Sequence, residues 1–246
     1  MKKIIGILLF CLLAAAPAHA DSYTKPTWPN LVRTLVRFNA LNLGDDRLLD
    51  EYAIITECDL YKNFYRDDFK WNEVRQAIRQ SVKMNIATFP TDYGYVTQLQ
   101  LGRYDFHENL YRFTDKTTIK NVNSVLIYKV EGSPCDGVEI KLIPVVFRGI
   151  LDTPFYFEGL PLASKDAEAL LKQMKDDNNT DHIVYTSFNL RVVYIEPLRK
   201  GKVNGEDQEY TQAGGDRRTA RLDMQLDSID FYEDPAMTKL IYHYQP

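Results

Sequence analysis

The stretch ATFPTDYGYVTQLQL, Ala87 to Leu101, is where the chain changes its hydrophobic period. After the Phe89-Pro90 break, Tyr95, Thr97, Leu99 and Leu101 alternate with Val96, Gln98 and Gln100. That is the period of two expected of a half-buried strand. Everything before the break repeats at a helical period instead.

Upstream, Trp28, Leu31, Leu35 and Phe38 recur at helical spacing, with Pro29 in the first turn, where its missing N–H costs nothing. The tract NLGDDR then breaks and restarts the chain, with Asp45 or Asp46 as the cap of a second helix. That helix is expected to carry Leu48, Tyr52 and Ile55 on one side and Ile54, Cys58, Tyr61 and Tyr65 on another, and so to be packed on most of its surface. A third helix, Asp68 to Met84, turns Trp71, Val74, Ile78 and Val82 inward and Arg75, Arg79 and Lys83 outward. Such a basic face is either solvated or open to an anionic partner.

Downstream, strands are expected at Ser124–Val130, Val138–Phe147, Ile183–Ile195 and Arg221–Tyr232. In the last of these Leu222, Met224 and Leu226 share a parity that Ile229 and Phe231 do not, which predicts a β-bulge near Asp227-Ser228. A helix capped by Ser164 interrupts the strands, with Ala167, Leu170, Leu171 and Met174 inward. Lys200–Arg218 is polar and glycine-punctuated and reads as a long loop. The final EDPAMTKLIYHYQP suits either a helix start at Asp234-Pro235 or a strand through Leu240-Ile241-Tyr242. Helices first and strands afterwards imply an α+β fold. An N-terminal helical segment, residues 21–90, would pack on a mostly antiparallel sheet, residues 91–246, with one inserted helix near 164–176.

The first twenty residues set the compartment. Lys2 and Lys3 precede an apolar run from Ile4 to Ala16, and Ala18-His19-Ala20 offers a small-x-small cleavage site, which together describe a bacterial secretory signal over residues 1–20. The run is short for a membrane span, which takes about 20 apolar residues, and nothing later in the chain is longer. The mature protein is therefore expected in the periplasm or outside the cell, with no transmembrane segment. Removing Lys2 and Lys3 makes a chain of net charge −4 more acidic still, which argues against nucleic acid as the partner.

Cleavage also removes Cys11 and leaves Cys58 and Cys135, which in an oxidising compartment have one intramolecular pairing available. Cys135 sits in EGSPCDGVE, which reads as an exposed turn between strands. Closing so long a loop contributes on the order of 4 kcal/mol in the chain-entropy model. A structural bridge is favoured over a reactive thiol.

Motifs that carry chemistry are incomplete. His107, in DFHEN, has Asp105 and Glu108 beside it and is a weak candidate for general base. Asp223 and Asp227 share one face of the last strand and have the residue types of two-carboxylate hydrolysis. Asp177, Asn179 and Asp181 place oxygens at every second position, as in a calcium loop, but His182 and Phe188 stand where that loop needs glycine and glutamate. No histidine pair has zinc spacing, no serine elbow occurs, and no glycine-rich loop is present to hold a nucleotide, so no metal and no cofactor is expected. What stands out is aromatic content, sixteen tyrosines and twelve phenylalanines, many of them in or beside turns such as LGRYDFHENLYRF. Such rings serve either packing or recognition.

The reading is an exported, non-catalytic protein that binds an envelope or extracellular protein partner through aromatic loops and the Lys200–Arg218 tract. An exported hydrolase, with a site assembled from distant residues, and a small-ligand carrier are the alternatives. Alkylation of the mature protein without reductant, followed by intact-mass measurement, should label no thiol; two labels would remove the bridge.

Overall fold

The computed structural model describes residues 23–117, 119–203, 206–211 and 218–246. The secretory signal expected at 1–20 lies outside the described residues. The helical part is α1 (Trp28–Arg37), α2 (Asp46–Thr56), α3 (Cys58–Phe64) and α4 (Asp68–Asn85). Three of the four starts have a side-chain cap, and α3 has none. Thr27 Oγ1 accepts from the Asn30 N–H, Asp45 from Arg47 and Asp67 from Lys70, which satisfies donors the first turn would leave open.

Two helices stand where a single one was expected over Leu48–Tyr65. The chain breaks at Glu57, whose φ of −140° and ψ of 47° are not helical. The break resolves the conflict of two apolar sides. Leu48, Leu49, Tyr52 and Ile55 bury against the core, while α3 swings out and sets Tyr61 and Tyr65 edge-on to Trp71 of α4, ring centroids 5.7 and 5.4 Å away. The arginines of α4 are not a free basic face either. Arg75 donates to Asp50 from Nε at 2.8 Å and from Nη2 at 2.5 Å, and Arg79 donates to Asp46 and to the Leu43 carbonyl. The hydrogen bond from Arg79 holds the Asp46 carboxyl below its ordinary range.

The strands are β1 (Asp92–Asp105), β2 (Leu110–Phe113), β3 (Ile119–Lys129), β4 (Val146–Phe157), β5 (Gly159–Pro161), β6 (Ile183–Tyr194), β7 (Arg199–Val203), β8 (Glu206–Thr211), β9 (Thr219–Tyr232) and β10 (Leu240–Tyr244), with α5 (Ser164–Asp176) between β5 and β6. They form a sheet in the order β3-β4-β9-β6-β1-β2-β5, with β10 added on β9. Every pairing in it is antiparallel except β4 with β9, so the fold is α+β with a mostly antiparallel sheet. β7 and β8 pair only with each other, so part of the tract read as a loop is a two-stranded ribbon. The C-terminal ambiguity resolves to a strand, because Asp234 accepts from the Thr238 and Lys239 N–H groups and turns the chain into β10.

One face of the sheet is largely apolar, with Thr97 and Thr186 paired across its middle. Val184, Leu190 and Val192 on β6 share it with Tyr93, Leu99 and Leu101 on β1, all buried. At one end it packs under α1, α2 and α4, and at the other under α5, whose Ala167, Leu170 and Met174 point inward. Leu171, expected inward, is exposed. The cap residue of α5 is Ala163, not Ser164, which is already the first helical residue.

The expected strand Val138–Phe147 forms only at its end, from Val146. The reason lies in α2. The Glu51 carboxylate accepts from the N–H groups of Lys141, Leu142 and Ile143 at 2.7 to 3.0 Å, taking the donors that a sheet ladder would need. Trp28 Nε1 donates to the Pro144 carbonyl at 3.0 Å, and Arg218 donates to Ile140 O. Cys135, expected at an exposed tip, is 2% exposed and bonded to Cys58, with Cα atoms 5.6 Å apart.

Burial pushes the Glu51 carboxyl up, while the three N–H groups and Arg218 draw it partly back. A raised folded-state value favours the fold on the acid side, and that contribution is lost as pH rises through it. Glu51→Ala should cost about 3 kcal/mol in urea unfolding, because it strands three backbone donors, that of Ile143 buried and those of Lys141 and Leu142 partly so. The stability difference between wild type and Glu51→Gln should be largest at and below the ordinary value of 4.5 and narrow as pH rises through the raised folded-state value, since the amide does not titrate.

Candidate functional site

With Val184, Leu190 and Val192 facing the core, the alternation of β6 turns Ser187, Asn189 and Arg191 to the opposite face. On β9 the pairing runs Asn189 with Ser228 and then Leu190 with Leu226, leaving Asp227 as the extra residue. This is the bulge expected near Asp227-Ser228. It lets Leu222 and Met224 on one side of it, and Ile229 and Phe231 on the other, all reach the buried face. Its other product is a pair of consecutive residues, Asp227 and Ser228, that both open outward.

These side chains floor a groove of about 830 Å³. Tyr23 lines it too, as do Met237 and His243, from the turn before β10 and from β10 itself. The floor is a continuous hydrogen-bond chain. Ser187 Oγ donates to Asn189 Oδ1 at 2.9 Å, and the Asn189 amide donates to Ser228 Oγ at 2.9 Å and to Asp230 Oδ2 at 2.6 Å. The other oxygen of Asp230 meets His243 Nδ1 at 2.5 Å. With Nδ1 as donor, the lone pair of that ring is on Nε2. Arg191 spans Asp92, 2.8 Å from Nε, and Asp227, 3.0 Å from Nη2, and Tyr23 donates to Asp227 at 3.3 Å. Ser187, Asn189 and Ser228 are 9%, 4% and 7% exposed, so the floor is held in place before anything binds.

The residues singled out from sequence do not meet in one place. Asp227 belongs to the groove, whereas Asp223, four residues earlier on β9, is exposed and outside it. His107 lies on the exposed β1–β2 turn, where Asp105 accepts from the backbone N–H groups of His107 and Glu108. Those two bonds and Arg112 hold the Asp105 carboxyl below its ordinary range. The Asn179 amide closes onto both backbone groups of Ile183, and Asp177 accepts from Gln173, so these groups turn α5 into β6. Among the described residues no group of three or more His, Cys, Asp or Glu could hold a metal ion. Asn189, Ser187 and Ser228 went unmarked in the sequence, as did the pairing of Asp230 with His243. Their signal was there in part, as the polar parity of β6 and the parity switch of β9.

A second surface lies at the far end of the sheet. Phe106, on the β1–β2 turn, is 79% exposed and sits edge-on to Tyr104, which is edge-on to Tyr111, at 4.9 and 5.7 Å. Together with Ala167 and Leu171 of α5 these rings line a shallow apolar groove of about 420 Å³.

Residues 45–173 match the family model described as a domain of unknown function (DUF4852). That span holds Glu51, both bridging cysteines and the Phe106 surface, and stops short of Ser187 and the rest of the polar groove floor. No curated protein and no solved structure matches the chain. No described helix is long and apolar enough to cross a membrane. Asn189→Ala should lower stability by about 2 kcal/mol in urea unfolding, because it leaves Ser187, Ser228 and Asp230 without their shared partner. Gln225→Ala, at the exposed rim, should change it by less than about 0.5 kcal/mol.

Proposed function

We propose that this chain, which belongs to the DUF4852 family, is an exported, non-catalytic protein that binds an envelope or extracellular protein partner through the aromatic surface at the β1–β2 turn. The observation that carries this reading is Phe106. A large ring left 79% exposed beside Tyr104, Tyr111 and Leu171 forms an apolar patch, of the kind that protein contact covers. The turn that presents it is stiff: Arg112 joins Asp105, Glu108 and Glu158 at 3.1, 2.7 and 2.8 Å, so little order has to be gained on binding. Export is supported by the leader sequence, and the Cys58–Cys135 bridge suits an oxidising compartment. In this reading residues 21–90 and 91–246 act as one unit after cleavage at residue 20.

An exported hydrolase would draw on the Asp230–His243 pair, which has the orientation of a general base. Among the described residues the two serines of the groove floor bond Asn189, and no hydrogen bond joins either of them to His243. The test is photo-crosslinking from position 106 of the mature protein in envelope extracts. One protein species should be captured there and not from position 69 on α4, and Phe106→Ser with Leu171→Ser should abolish its recovery by the untagged surface. Turnover of a peptide, ester or glycan substrate with no captured species would overturn the reading.

A further inference from the structure

We propose that the groove over β6 and β9 is a binding site for a neutral saccharide, distinct from the Phe106 surface. Its floor presents donors and acceptors side by side, as hydroxyl groups need, since each hydroxyl gives one hydrogen bond and takes others. Ser228 Oγ accepts from Asn189 and keeps its own proton to give. Tyr23 and Arg191 Nη2 both reach Asp227 at Oδ2, and Arg191 meets Asp92 through Nε. An acceptor and a donor therefore stand on adjacent strands.

Charge narrows the class of ligand. The lining sets Asp227 and Asp230 against Arg191, whose Nε is already taken by Asp92 outside the groove, which disfavours phosphates and carboxylates. A cationic ligand gains little, because Asp227 already has Arg191 and Asp230 already has the His243 N–H. Hydroxyls gain from carboxylates without needing an uncompensated charge. Met237 adds apolar surface for the C–H faces of a sugar ring. At about 830 Å³ the groove is in the range of organic-ligand sites, roughly 300–1,000 Å³, and is large for an ion. The immobilised floor removes much of the ordering cost that weakens sugar binding.

The experiment is a titration of the mature, disulfide-bonded protein, followed by amide chemical shifts and by calorimetry. The probes are chitotriose, maltotriose and cellotriose, with spermidine and inorganic phosphate as charged comparisons. At least one trisaccharide should bind, with shifts confined to β6, β9 and β10. Asp227→Asn and Gln225→Ala, each checked for an unchanged melting curve, should weaken it at least about tenfold. Phe106→Ser should bind the same saccharide as well as wild type, which separates this site from the protein-contact surface. Three silent trisaccharides, binding of spermidine or phosphate alone, or affinity unchanged in both groove variants would overturn the proposal.

Discussion

Glu51 holds the molecule together at the junction of its two halves. Its carboxylate, buried on α2, takes three successive backbone N–H groups from the segment that leads into β4. Those donors would otherwise extend a strand, and the chain there would run along the sheet edge. Held by Glu51, the segment lies against the helices, where Trp28 reaches the Pro144 carbonyl and Cys135 reaches Cys58. Helix side chains and strand side chains then share one apolar cluster, in which Leu48 and Leu49 meet Phe147, Leu222 and Met224. A buried carboxylate is costly to desolvate, and it is tolerated here because backbone donors surround it.

The two faces of the sheet have opposite economies. The inner face is largely apolar, interrupted by the Thr97–Thr186 pair, and is covered by helices at both ends. The outer face keeps Ser187, Asn189, Ser228 and Asp230 in a satisfied network where apolar residues would pack at less risk. One extra residue, Asp227, links the faces. It restores the inward parity of Ile229 and Phe231 and doubles the outward polar positions at the same place.

The change of period near Phe89-Pro90 made the order of helices and strands legible, and the parity switch of β9 made the bulge legible, because both are local patterns. The break at Glu57 was not, since residues on either side form helix and only the packing of Tyr61 and Tyr65 against Trp71 shows why the chain bends. Val138, Ile140 and Leu142 alternate as a strand should, yet their segment is claimed by Glu51, about ninety residues away in sequence. The groove was hardest to see. Its residues come from β6, β9 and β10, and each alone is an ordinary polar residue on a strand. Asp227 was marked for its carboxylate, but its neighbours become visible only once the strand register is known.

The bridge between Cys58 and Cys135 encloses a covalent loop with a sequence separation of 77 residues. The β1–β2 turn, with Phe106 at its tip, lies inside that loop, as do α4, β1, β2 and β3. A protease outside the cell meets exposed turns first. A single cut at Phe106 would leave both fragments tethered through Cys58 and Cys135, with the sheet pairings on either side still able to hold. The staple thus makes this exposed turn expendable as a continuous backbone.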